Sequence, residues 1–397
     1  MQFSQLIESL EESATLAIAK KVRELKAAGK DIIGLTLGEP DFDTPDHIRL
    51  AAKQALDDGF THYPPVSGYP ALKQAIVDKL KKENGLNYDP KQILVSTGAK
   101  QSLYNVVQAL MNPGERAILP TPYWVSYYAM LHIAQAEIDM MHTSIESAYK
   151  ITPEALEATI KPDTKLLFLT TPSNPSGSMY SGEELAALVE VLERHPQVYI
   201  ISDEIYERIT FGFDHVSLGT FESIHDRVIT VNGFSKGYAM TGWRLGYIAA
   251  SQDIVARCEK LQGQITSGAN AFAQMGAVAA LTGTQEPTVA MKEEFRRRRD
   301  MMYEALKAIE GIEVILPDGA FYFYPDMKAF IGKKTPAGQT IETIDQLCLY
   351  MIEEEGLAMV TGSAFGTQTH VRISYAYSNE ILKDALSRLK SGLGKLQ

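Results

Sequence analysis

The sequence predicts an α/β protein in which a large domain built on a mostly parallel sheet between helices is accompanied by a smaller α+β domain. Three observations carry this reading. From residue 91 to about 251, short β-rich runs alternate with helical segments, the order expected of strands joined by crossover helices. Several of those runs lack polar alternation, as strands buried on both faces do. Finally, 397 residues with 45% hydrophobic and 22% charged content exceed what one ordinary core accommodates.

Taken in order, residues 14–30 place Leu16, Ala19, Val22 and Leu25 at helical spacing, with Gly29 as the stop. A short strand at 32–37 then runs into the loop Gly38-Glu39-Pro40-Asp41. Residues 45–58 read as a helix opened at a Thr-Pro boundary, 61–69 as an ordered loop rich in Pro, Gly and Tyr, and 71–83 as an amphipathic helix. The β-rich runs follow at 93–96, 117–119, 166–170, 198–202, 228–231 and 246–250. Long helices are expected at 253–281 and 289–308, then mixed strands and helices over 311–397. The expected division is an N-terminal arm with part of the small domain at 1–45, a large domain at 46–288, and a small C-terminal domain at 289–397. The run Arg296-Arg297-Arg298-Arg299 shares its helix with Glu293, Glu294, Asp300 and Glu304, and reads as a salt-bridged solvated face.

Composition excludes several functions. A net charge of -11 argues against nucleic acid or an anionic membrane as main partner, since both require a clustered positive field. A local basic pocket for a small anion stays open. Cys258 and Cys348 are the only cysteines, too few for a disulfide framework or a cysteine zinc site, and they favour a reducing cytoplasm. Residues 1–13 carry Glu8, Glu11 and Glu12 without an apolar core, unlike a signal peptide. No apolar run is long enough to cross a bilayer. The eight histidines show no metal-binding spacing, and no phosphate loop of the G-x-x-x-x-G-K-[ST] type occurs.

In α/β sheets ligands gather at the carboxyl ends of strands, and there the sequence concentrates its chemistry. One predicted strand ends near Asn174-Pro175-Ser176-Gly177, the next at Asp203-Glu204-Ile205-Tyr206, and a third at Gly233-Phe234-Ser235-Lys236, followed by Gly242-Trp243-Arg244-Leu245-Gly246. Singly these read as a turn, a helix cap and an idle lysine. Their joint occurrence in this order points further.

The run 233–246 resembles the lysine signature of class I and II aminotransferases: small, apolar, small, Lys, then Arg eight residues on, an aliphatic residue and Gly. The resemblance extends from Ser13 to the C-terminus. It is nearest to the bacterial aspartate aminotransferase subgroup Ib, through Gly-Glu-Pro-Asp-Phe-Asp-Thr-Pro at 38–45, Tyr63-Pro64-Pro65 and Pro122-Tyr123-Trp124-Val125-Ser126. It implies the fold type I architecture of pyridoxal-phosphate enzymes, with pyridoxal 5'-phosphate held as a Schiff base on Lys236, which also serves as general base. Asp203 is expected to face the pyridine nitrogen, Tyr206 and Asn174 the phenolic oxygen, and Trp124 the ring face. The phosphate is expected against Gly98, Ala99 and Lys100 at a helix start, with Ser235 and Arg244. Tyr63 is expected to reach the site of a second copy in a homodimer. Arg372 matches the clamp on the substrate α-carboxylate, completed by Gly38, Trp124 and Asn174; the alternative for a buried Arg is an internal salt bridge.

Lys100 and Thr15 match the residues that read a side-chain carboxylate, which points to aspartate or glutamate with 2-oxoglutarate or oxaloacetate. Relatives acting on prephenate carry Lys-Pro where this chain has Glu11 and Glu12, so weak prephenate activity is expected. Aromatic or other amino acids, and β-elimination of the C–S lyase type, remain alternatives that the residues around Lys236 do not separate. A ligand-sensing regulator would need a DNA-binding segment ahead of Ser13, for which the sequence leaves no room.

Overall fold

The computed structural model describes residues 3–10, 12 and 14–397, with only the backbone of 14–16. A seven-stranded sheet runs in the order Ile93–Ser96, Gly246–Ala249, Val228–Gly233, Tyr199–Asp203, Thr164–Thr170, Arg116–Thr121, Glu137–His142. Gly246–Ala249 is antiparallel to both its neighbours, and all other pairings are parallel. Both faces are covered. Leu166 and Phe168 pack with Leu103, Val107 and Leu131 on one side, while Leu167 and Leu169 pack with Leu156, Leu185 and Leu188 on the other. This two-sided burial explains the missing polar alternation. The strand Glu137–His142 was not expected; it is the sheet's edge, half-exposed, and its acidic residues conceal it.

The expected helix at 253–281 is two helices, Gln252–Ile265 and Ala271–Thr282. Ser267 and Gly268 take positive φ, and the Asn270 side chain caps the second helix by accepting from Ala273 N. Helix 14–30 ends at Ala27, and 71–83 becomes Pro70–Lys79 followed by a wide turn at Leu80–Asn84. The strand expected at 32–37 shortens to Ile33–Gly34, paired in parallel with Leu357–Ala358.

A second core lies among the helices Glu286–Lys307, Ile344–Glu355 and Asn379–Gly394 and the small sheet of Val360–Thr361, Val371–Ser374 and Tyr322–Phe323. The four-arginine run corrects the sequence reading. Arg296 and Arg297 are solvated pairs with Glu293 and Glu294, but Arg298 and Arg299 are buried. They share the inward face with Met291, Phe295 and Met302, at helical spacing. Arg298 reaches Asp41 at 2.7 Å and stacks on Phe42 and Phe295, while Arg299 donates to Pro317 O.

Candidate active site

Three adjacent parallel strands deliver the site. Thr164–Thr170 leads to Asn174, Tyr199–Asp203 ends on Asp203, and Val228–Gly233 leads to Ser235 and Lys236. Their carboxyl ends open on a cavity of about 250 Å³ lined by Gly38, Ala99, Lys100, Trp124, Asn174, Asp203, Tyr206, Ser235, Lys236, Arg244 and Arg372. Nearly the whole sequence-derived constellation therefore converges. Gly98 lies immediately behind, starting the helix Ala99–Leu110. Tyr63 lies elsewhere, 92% exposed beside a groove that includes Phe60, His62 and Phe272. Thr15 is on the helix Ala14–Ala27, but its side chain, like Glu11 entirely, lies outside the described residues; Glu12 is exposed.

Lys236 Nζ donates to Gly38 O. Burial pushes its ammonium down to about 8, with Arg372 and Arg244 adding to the fall while Glu39 and Asp203 oppose it. At pH 7 about a tenth of such an amine is neutral, against under a thousandth for an ordinary lysine, and the neutral form is what a nucleophile or base requires. Burial raises the Asp203 carboxyl to about 6, while Tyr127 and the Ile205 amide hold it back. Tyr127 Oη donates to Asp203 Oδ2 at 2.6 Å, and Ile205 N donates to Oδ1 at 3.2 Å.

Arg372 sits on the strand Val371–Ser374 and is 1% exposed. Its Nη1 donates to Asn174 Oδ1 at 3.0 Å and its Nη2 to Thr36 O at 2.6 Å, while the rings of Tyr322 and Phe365 flank the guanidinium. Nε has no partner, and no carboxylate pairs with Arg372 among the described residues. The internal salt bridge is thus not formed. A buried guanidinium held only by neutral acceptors is chemically suited to an anion.

Around the helix start, Gly98 takes φ +80° and packs against the Arg244 guanidinium, which any Cβ at that position would strike. Gly246 lies so close to Ala99 N that a side chain there would displace the helix. No side chain caps the helix, leaving its first amides for an anion between Arg244 and Ser235. Trp124 precedes the helix Val125–Ile133, with Lys100 Nζ 4.9 Å from its ring centre. Burial pushes the Lys100 ammonium down, and Arg244 adds to this.

Of the cavity residues that escaped the sequence reading, two have phenols that bond expected site residues. Tyr127, one helical turn after Trp124, holds Asp203; its place in the aromatic run 123–128 was a usable signal. Tyr322 bonds Tyr206, hydroxyl to hydroxyl, at 2.8 Å. Its only signal was the run Phe321-Tyr322-Phe323-Tyr324, which reads equally well as core.

This set combines a buried amine of lowered basicity, a buried carboxyl group, an indole ring, uncapped helix amides beside an arginine, and a second, buried arginine without a carboxylate partner among the described residues. It fits pyridoxal phosphate. Residues 30–389 match the family Aminotransferase class I and II, and the chain belongs to that family. It is accordingly a pyridoxal-phosphate-dependent aminotransferase. Among its relatives, an aspartate/prephenate aminotransferase of Cereibacter sphaeroides is 45% identical over 98% of both chains. An aspartate aminotransferase of Rhizobium meliloti is 42% identical over 98% of this chain and 96% of its own. Among solved structures, the aspartate aminotransferase from Rhizobium meliloti superposes with a TM-score of 0.97 at 41% identity, covering all of both chains. That from Thermus thermophilus with maleate gives 0.92 at 36%, over 99% of this chain and all of the other.

Proposed function

We propose that this enzyme moves the amino group of aspartate or glutamate to 2-oxoglutarate or oxaloacetate. The observation that carries this reading is that, of the four cationic side chains lining the cavity, Lys100 and Arg372 remain for carboxylates once Lys236 and Arg244 are given to the cofactor, and neither is in an ion pair among the described residues. One suits the α-carboxylate and the other a side-chain carboxylate. Bound pyridoxal phosphate supplies an aldehyde that condenses with amines and a ring that accepts electrons. Lys236 Nζ holds the cofactor at rest and, once free, takes and returns the α-proton of the amino acid. Asp203, ionised above pH 6, holds a proton on the ring nitrogen. Tyr206 and Asn174 donate to the phenolic oxygen, and Trp124 covers one ring face. The amides behind Gly98, with Ser235 and Arg244, bind the phosphate, and Arg372 with Gly38 orients the substrate.

In this reading the protein acts in the cytoplasm as a homodimer. Exposed Tyr63 is contributed to the phosphate site of a second copy, which gives that large aromatic an employment. Free, buried Cys258 and Cys348 suit a reducing compartment, and no described helix is long and apolar enough to cross a membrane. Residues 46–288 form the large domain and 289–397, with the arm 1–45, the small one.

Adding aspartate to the holoenzyme should deplete the visible cofactor band toward the near-ultraviolet as the amino group is transferred. A band unmoved by aspartate and glutamate would defeat the dicarboxylate assignment. The Cereibacter relative's name includes prephenate. The Glu11-Glu12 pair supports weak prephenate activity here, because a second carboxylate docking near two acids is repelled. Turnover of prephenate as fast as oxaloacetate would refute that.

A further inference from the structure

We propose that Tyr322 is a positioning residue of this site: it donates its phenolic proton to Tyr206 while its ring supports Arg372, joining the carboxylate clamp to the cofactor's hydrogen-bond donor. The inference rests on the roles given to Lys236, Tyr206 and Arg372 above.

The two hydroxyls lie 2.8 Å apart, on rings that are both buried, and among the described residues each is the other's only hydrogen-bond partner. Each phenol has one proton and two lone pairs. If Tyr206 spent its proton on Tyr322, it would have none for the cofactor's phenolic oxygen. The reverse arrangement leaves the Tyr206 proton free and makes it a better donor, because accepting a bond polarises the hydroxyl.

The surroundings favour that direction. Burial raises both phenols and the Arg372 guanidinium, 4.6 Å from the Tyr322 ring, holds both back, while the Asp203 carboxylate raises Tyr206 alone. The more acidic phenol is the donor. Position is fixed independently. Tyr322 pairs with Ser374 across the small sheet, next to the strand that carries Arg372, and its hydroxyl fills the space over Gly38, where a Cβ would come within 2.5 Å of it. Tyr206 instead follows the large sheet. The bond therefore spans the two sheets at the substrate pocket.

The test is a spectrophotometric pH titration of the Lys236-bound cofactor in the holoenzyme, with binding of maleate as a probe of the clamp. Tyr322→Phe removes the hydroxyl and keeps the ring. Its cofactor band should titrate about half a pH unit higher, part of one hydrogen bond's worth, with maleate Kd changed less than about twofold. Tyr322→Leu should show the same rise and a Kd weakened about threefold or more, because the guanidinium loses its ring. In a Tyr206→Phe background, Tyr322→Phe should add nothing. An unchanged titration in Tyr322→Phe, or an equal further rise in the Tyr206→Phe background, overturns the inference alone. Absence of a titrating band in the unsubstituted protein overturns the reading of Lys236 as well.

Discussion

Replacing Lys236 with methionine should make the cofactor-free protein more stable at neutral pH, even as it abolishes transamination. Burial lowers the Lys236 ammonium from 10.5 to about 8. At about 1.4 kcal/mol for each pH unit, holding that charge in the fold costs about 3 kcal/mol. Methionine has similar length and no charge, but it forfeits the bond to Gly38 O, about 1 kcal/mol. The net gain is about 2 kcal/mol. Because the folded value is depressed, the penalty is full well below pH 8, fades as pH rises, and is gone above 10.5. The Asp203 carboxyl, raised from 3.8 to about 6, acts in a lower window: its neutral form favours the fold below 3.8, and that advantage is lost by pH 6. Urea unfolding of both apoproteins between pH 7 and 10.5 therefore isolates the lysine. A variant less stable than its parent at pH 7, or an advantage undiminished at pH 10.5, would refute the reasoning.

Lys100→Met should raise KM for aspartate about tenfold or more while changing that for alanine less than threefold, the loss expected for one charged contact; equal losses in steady-state kinetics would remove Lys100 as a specificity residue. Tyr127→Phe deletes the hydroxyl that holds the Asp203 carboxyl down. The acid limb of its rate profile should move to higher pH, and an unmoved limb would show that Asp203 does not govern it. Arg298→Ala strands Asp41 and uncovers Phe42, so it should cost about 2 kcal/mol or more in urea unfolding and raise KM through the Gly38 loop; Arg298→Lys, lacking the flat stacking surface, should rescue only part of it.

The chemistry of this site was readable because sequence places it at strand ends. Asn174, Asp203 and Lys236 each follow a run of apolar residues, and parallel neighbours present such ends to one cleft. Arg372 was legible as an oddity, a charge within an apolar strand. Tyr322 was not, since its role depends on the pairing of short strands from distant parts of the chain and on the turn that aims Tyr206 at it. The break at 267–268 had a glycine to announce it, but the apolar residues on either side mimic continuous helix. The burial of Arg298 and Arg299 was available in the spacing from Met291 to Leu306 and was hidden by four like charges in a row.

The bond from Arg372 to Thr36 joins residues 336 positions apart, and Ser374 N donates to Leu35 O beside it. The clamp thus exists only when the first strand and the last have met. During synthesis Lys236, Asp203 and the helix start at Gly98 emerge together with their sheet, well before Arg372 leaves the ribosome. A nascent chain can assemble a place for the cofactor long before it can orient an amino acid.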